Sequence, residues 1–417
     1  MDRRLFLRAS GTGLAALLPA RLGLERVLDG LAALPRAKRL NPHRLRAEYM
    51  LDPGLLYLNH GSIGTIPRAV HEARVRYLEA CETNPHVHIW EDGFTDALAA
   101  TRSKMARLLG CATEEVAFTH NTTEGFNVLA QGLGLGAGDE VLFSSLNHAS
   151  ASQPWRHYAE RYGYAVRQFQ LPIERVPALT EDDVVALHAE QIRPSTRVLV
   201  FPEVDNIVGL RHPVARLAAR ARELGVTFVA VDGAQVLGML PVDVAAVDFY
   251  AASPHKWLQA PKGSGVLYVK RAMQQRLSPM WVKRVRSAIP PTAEAFEDYS
   301  TRNLPEVVTL SDAIDFQTAL GPAEKSRRYM EIRRSFRDAV RDDARLRWCS
   351  AERETLSASL FAIEPVGRDA RAVQRALTAA GVVVRAFGPP LNTLRVSPNL
   401  VHVPEDLTRL MAAIAAA

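Results

Sequence analysis

Through the middle of the chain, apolar runs of strand length alternate with stretches whose apolar residues recur every three to four positions. Strands are expected at Glu115–Thr119, Glu140–Ser144, Tyr164–Phe169, Arg197–Val204 and Val226–Val231. Amphipathic helices are expected between them: from about Thr123, then over Gln153–Tyr162, Glu181–Gln191 and Pro213–Leu224. Two further strands, Phe249–Ala252 and Gly265–Val269, follow one another without an intervening helix. This alternation predicts an α/β fold whose mostly parallel seven-stranded sheet is wrapped by helices. In such sheets ligands sit beyond the carboxyl ends of the strands.

The flanks read differently. Leu55–Asn59 is a short strand, and His60-Gly61-Ser62-Ile63-Gly64 is a glycine-punctuated turn. Helices follow over Pro67–Ala80 and Asp96–Leu109, the second stopped by Gly110. Past Pro290-Pro291 the composition shifts. An arginine-rich helix over Pro322–Arg341 precedes short strands, Leu394–Val396 among them, and helices, which together predict a smaller C-terminal α+β domain. The expected division is a signal at 1–20, an arm and linker at 21–54, a large domain at 55–290 and a small domain at 291–417. The signal rests on Asp2-Arg3-Arg4-Leu5-Phe6-Leu7-Arg8, which resembles a twin-arginine export sequence and precedes a weakly apolar run from Ala9 to Ala20. It implies a periplasmic location. The alternative is a basic amphipathic helix on a cytoplasmic protein. No stretch approaches the length and apolarity of a membrane-spanning helix.

Composition narrows the classes of partner. The 417 residues are 47% hydrophobic and 23% charged, with a net charge of +6 and a pI near 9.3. The excess base is mostly arginine, scattered over helical stretches and without interleaved aromatics, so no nucleic-acid partner is expected. The 3 cysteines, Cys81, Cys111 and Cys349, are too widely spaced for a metal knuckle and odd in number for a disulfide framework, and no metal is expected. Lysine is scarce, which makes Lys256, set among small and polar residues, conspicuous.

Polar residues follow the expected strand ends in a revealing order. Thr122 and Thr123 open a helix after Phe118-Thr119, a natural anion site. His148 follows the next strand, Asn206 a later one, and Asp232 closes Thr227–Val231, with Gln235 one turn beyond. Ser253, His255 and Lys256 come last. Singly these are an N-cap, a loop histidine, a turn asparagine and a surface lysine. A carboxylate at the end of an apolar strand is costly without a partner, however. Together the acid and the lysine are what a pyridoxal phosphate enzyme needs: Asp232 to keep the pyridine nitrogen protonated, and Lys256 to form an imine and exchange a proton at Cα.

Thr122-Thr123-Glu124-Gly125, Asn147-His148, Asn206 with Gly209, Asp232 with Gln235, and Ser253-Pro254-His255-Lys256 resemble, in order, the motifs of class V aminotransferases, a family of fold-type I pyridoxal phosphate enzymes that includes the cysteine desulfurases. The resemblance runs from about Tyr57 to the end. It implies pyridoxal 5'-phosphate as cofactor, Lys256 as Schiff-base lysine, Asp232 on the ring nitrogen and His148 stacked on the ring. It also implies Asn206 and Gln235 near the ring oxygen, and Thr122, Thr123, Ser253 and His255 around the phosphate. Ser300-Thr301-Arg302-Asn303 resembles a family stretch whose threonine, here Thr301, reaches the phosphate of a second subunit, which implies a homodimer. Arg395, in Leu394-Arg395-Val396-Ser397-Pro398, would clamp the carboxylate of an amino acid substrate.

Two departures matter. Arg385-Ala386-Phe387-Gly388-Pro389-Pro390-Leu391 lacks the cysteine that desulfurases carry there, and Asn147 stands where they often have glutamate. Asn59-His60-Gly61-Ser62, Asn84-Pro85 and His255-Lys256-Trp257-Leu258 with Pro261-Lys262-Gly263 resemble the isopenicillin N epimerase-like branch. A pocket around His60 and Trp257 is expected to contact substrate. Epimerisation or aminotransfer ranks first, a C–S β-elimination lyase second, and a non-catalytic protein that keeps the fold last.

Overall fold

The computed structural model describes residues 21–283 and 291–417. The twin-arginine segment lies outside them. The strands, in chain order, are β1 (Leu56–Tyr57), β2 (Val116–Thr119), β3 (Glu140–Ser144), β4 (Ala165–Phe169), β5 (Thr196–Pro202), β6 (Phe228–Asp232), β7 (Phe249–Ala252) and β8 (Gly265–Val269). In the C-terminal part come β9 (Leu346–Trp348), β10 (Phe361–Pro365), β11 (Val382–Val383), β12 (Arg385–Phe387) and β13 (Thr393–Val396). Seven strands form one sheet in the order β2-β8-β7-β6-β5-β3-β4. Neighbours from β7 to β4 are parallel, and β8 runs antiparallel to both β7 and β2.

Successive residues on a strand point to opposite faces, and both faces of this sheet are covered. On β5, Val198 and Val200 pack with Phe126 and Trp155 in one buried cluster, while Leu199 and Phe201 pack with Leu142 and Leu217 in the other. This two-sided burial explains why the central strands β5 to β8 read as continuous apolar runs, while the edge strand β4 stays partly exposed.

A second sheet, β12-β13-β10-β9, is antiparallel and is packed by the helices Pro322–Arg341, Ala370–Ala379 and Pro404–Ala416. The short β1 pairs in parallel with β11, and Leu56 and Leu58 are buried in this C-terminal core. The chain therefore touches its C-terminal part before it enters the large sheet.

Two elements differ from expectation. The helix expected at Gln153 begins at Ala149, because His148 caps it: the Ser150 N–H donates to His148 Nδ1 at 3.1 Å. The helix Leu304–Ala319 was not foreseen. It is buried nearly all round between the helices Arg68–Thr83 and Thr95–Leu109, so it shows no amphipathic stripe. Its buried Asp312 pairs with Arg21 at 2.8 Å, which ties down the first described helix. Among the described residues no helix is long and apolar enough to cross a membrane.

Candidate active site

A cavity of about 550 Å³ lies beyond the carboxyl ends of the large sheet, against β12 and β13 of the C-terminal sheet. Adjacent strands deliver its floor. Asp232 is the last residue of β6, Ser253 follows β7 directly, Asn206 lies just past β5 and His148 just past β3.

Thr122 has farther to come, since β8 separates β2 from β7. The turn after β2 crosses the start of β8 at Gly265, where an added Cβ would lie 2.3 Å from the Asn121 amide nitrogen and 2.4 Å from Thr119 Oγ1. The crossing brings Thr122 onto Ser253. Its amide donates to Ser253 Oγ at 3.1 Å, and the two hydroxyls are 2.8 Å apart. Thr123 and His255 line the same end of the cavity. The result is a helix N-terminus with hydroxyls around it, suited to phosphate. His255 Nδ1 lies 3.0 Å from the Ser264 carbonyl oxygen and so carries its proton there. Burial lowers the His255 pKa, and a phosphate at Nε2 would oppose that shift.

Lys256 is held from behind. An added Cβ on Gly64 would fall 1.8 Å from the Lys256 carbonyl oxygen, so the turn after β1 packs directly on the lysine backbone. Burial is the main reason the Lys256 pKa falls to about 8; Asp232 raises it and Arg395 lowers it further. Asp232 Oδ1 accepts the Ala234 N–H at 2.9 Å. No described cationic side chain forms an ion pair with Asp232. His148 Nδ1 accepts from the Ser150 amide, which places the ring proton of the neutral form on Nε2. Burial lowers the His148 pKa as well, ahead of the opposing pull of Asp232.

Arg395, buried on β13, enters from the opposite wall. It donates to Asn59 Oδ1 at 2.9 Å, to the Asn206 carbonyl at 3.0 Å and to Ser62 Oγ, and its buried Nε has no partner. All its acceptors are neutral. Burial draws its pKa down to about 10, with the charge of Arg385 next in size. The loop carrying Asn206 is built on Asp205, whose buried carboxylate accepts from the amides of Ile207, Val208 and Leu210. Burial still prevails there and raises the Asp205 pKa to about 6.

Thr122, Thr123, His148, Asn206, Asp232, Gln235, Ser253, His255, Lys256 and Arg395 thus share one cavity. Three expected residues do not. His60 is fully buried, lines no part of the cavity and packs its ring against Tyr57, Trp257 and His402. Burial lowers its pKa to about 3, so the ring is neutral, and it does not reach the cavity that the other expected residues line. Thr301 is exposed and stands outside this chain's cavity. Trp257 also stays behind the wall, where its indole N–H holds the Gln235 amide. Sequence reasoning missed Arg385, Phe387 and the side chain of Asn147 as lining groups. Both amide atoms of Asn147 are buried without a partner. Strand register and loop path placed these three, and no periodic signal marks them.

Comparison with known proteins agrees with this geometry. Residues 56–400 match the family described as aminotransferase class-V. The isopenicillin N epimerase of Streptomyces clavuligerus is 30% identical over 389 residues, covering 88% of this chain and 96% of that protein. A cysteine desulfurase of Yersinia pestis is 31% identical over 301 residues, covering 67% and 72%. Among solved structures, the Escherichia coli cysteine desulfurase CsdA superposes with a TM-score of 0.76 at 27% identity, covering 90% of this chain and 98% of that one. The cystine C–S lyase C-DES superposes with a TM-score of 0.78 at 21% identity, covering 87% and 98%, a likeness of fold.

The residues present fit pyridoxal phosphate. A helix N-terminus with Thr122 and Ser253 hydroxyls suits its phosphate, the Asp232 carboxylate, in no direct ion pair with a described residue, suits its ring nitrogen, and Lys256 suits its aldehyde. The chain belongs to the class V aminotransferase family, whose enzymes work with pyridoxal phosphate.

Proposed function

We propose that this enzyme acts at Cα of an amino acid by moving its α-proton, with epimerisation or aminotransfer as the outcome. The observation that supports this most directly is the convergence of Lys256, Asp232 and Arg395 on one cavity. Bound pyridoxal phosphate supplies an aldehyde that condenses with amines and a ring that takes up the electron pair of a bond broken at Cα. Arg395 receives the α-carboxylate, and the acceptors at Asn59, Ser62 and Asn206 keep its fork from swinging. Asp232 would hold a proton on the ring nitrogen of the bound cofactor, and His148 would lie against its ring. The Lys256 amine, with its pKa drawn to about 8, both takes up and releases a proton near neutral pH. Epimerisation would need a proton delivered to the opposite face of Cα by a donor other than Lys256; delivery at the cofactor carbon would lead to aminotransfer.

A second reading, loss of a β-substituent as in a C–S lyase, is favoured by the desulfurase relatives. Persulfide transfer to a cysteine of this chain is not part of it. No cysteine lines the cavity, and burial raises the pKa of Cys349, which sits just past β9. Incubating the holoenzyme with D- and L-amino acids separates the outcomes. Cα deuterium exchange with inversion marks an epimerase, keto-acid release an aminotransferase, and pyruvate release a lyase. No response to any amino acid, with no borohydride-fixed cofactor on Lys256, would leave only a non-catalytic protein with this fold.

Two further proposals concern assembly and location. Thr301, exposed and outside its own cavity, serves the phosphate site of a second copy in a homodimer. The Arg3-Arg4 segment directs export of the folded, cofactor-loaded protein.

A further inference from the structure

β12 and β13 run antiparallel with Arg385 directly opposite Arg395. Residues in that relation project from the same face, their Cβ atoms about 5 Å apart, and like charges so placed destabilise a sheet. Both arginines line the cavity. Neither pairs with a carboxylate: Arg395 has neutral acceptors only, and Arg385 makes no hydrogen bond or ion pair with any described residue. The nearby Asp205 has its oxygens taken up by backbone amides. The phosphate of the cofactor belongs at the far end, with Thr122 and Ser253. One α-carboxylate therefore answers one of the two guanidinium groups and leaves the other unmatched.

The alternation along β12 supplies a second observation. Ala386 turns into the C-terminal core, while Phe387, on the same face as Arg385, lines the cavity. An apolar wall beside an exposed cation at the mouth suits a short methylene chain ending in an anion.

We propose that Arg385 is a specificity-determining residue that selects amino acids whose side chain ends in a second carboxylate. The proposal rests on the reading of Arg395 as the α-carboxylate clamp.

Glutarate and butyrate, which lack an amino group and cannot react, test it by titration of the holoenzyme, with cofactor absorbance and calorimetry as readouts. Glutarate is expected to bind about tenfold more tightly than butyrate, as one added charge-assisted contact allows. That ratio should collapse towards one in Arg385→Gln, survive in part in Arg385→Lys and invert in Arg385→Glu. The cofactor band reports that each variant is folded. Equal affinities in the wild type, or an unchanged ratio in Arg385→Gln, would overturn the proposal while leaving the amino-acid reading intact. If neither acid binds and no amino acid exchanges its α-proton, the amino-acid reading fails and this proposal falls with it.

Discussion

The indole N–H of Trp257 donates to Gln235 Oε1 at 2.9 Å, while Gln235 Nε2 donates to the Gly61 carbonyl at 2.8 Å. One buried side chain, immediately after Lys256, thereby fixes the orientation of an amide that faces the cavity. In Trp257→Phe the Gln235 oxygen would be stranded. The expected cost is about 1–3 kcal/mol of stability in denaturant unfolding, together with a shifted cofactor absorption band as the amide rotates. A variant with an unchanged band would show that Gln235 does not depend on Trp257.

Gly265 lets the turn after β2 cross β8. Its missing Cβ is needed because backbone atoms of Asn121 occupy that space. Gly265→Ala should weaken cofactor binding, measured by equilibrium dialysis, more than tenfold, because Thr122 can no longer rest on Ser253. The overpacking itself should cost about 1–3 kcal/mol in unfolding experiments.

Arg395 makes charge-assisted contact with substrate in the proposed reaction. Arg395→Gln should raise KM at least about tenfold. Arg395→Lys should recover only part of the loss, since an ammonium cannot grip a carboxylate bidentately. Equal KM values for wild type and Arg395→Gln would remove Arg395 from substrate binding.

Lys325 is buried, bonds Gln317 Oε1 at 2.7 Å and has its pKa lowered by burial from 10.5 to about 7. The folded protein releases this proton before the unfolded chain does. Between about pH 7 and 10 the unfolded state therefore holds more protons, and stability rises with pH. Below about 7 the penalty for the buried charge is fully present. Lys325→Met should lack that rise, so the difference in unfolding free energy between the two proteins should change with pH in this window. Parallel pH profiles would place the Lys325 titration elsewhere.

Export is tested in cells. Replacing Arg3 and Arg4 by lysine should retain the protein in the cytoplasm, while the intact chain reaches the periplasm with cofactor already bound. Equal distribution of the two would rule out the twin-arginine route.

The α/β class and the order of the residues that converge on the cavity were legible in the sequence. Buried parallel strands announce themselves as apolar runs, and Asp232, Ser253 and Lys256 follow their strands within a few residues. His60 lies outside the cavity because a motif names a neighbourhood and not a direction: its ring turned into the core with Tyr57 and Trp257. The helix Leu304–Ala319 escaped notice because burial on every side erases the period that reveals a helix.

Local order along the chain therefore determined the sheet, the acid at the end of β6 and the lysine beyond β7. Chain crossing and cross-strand register decided the rest. Only the passage over Gly265 brings Thr122 to Ser253. Only the pairing of β12 with β13 sets Arg385 against Arg395. Strand propensity and amphipathic period act over a few neighbouring residues, whereas cross-strand register and contacts between distant segments exist only once the strands have paired and the layers have packed.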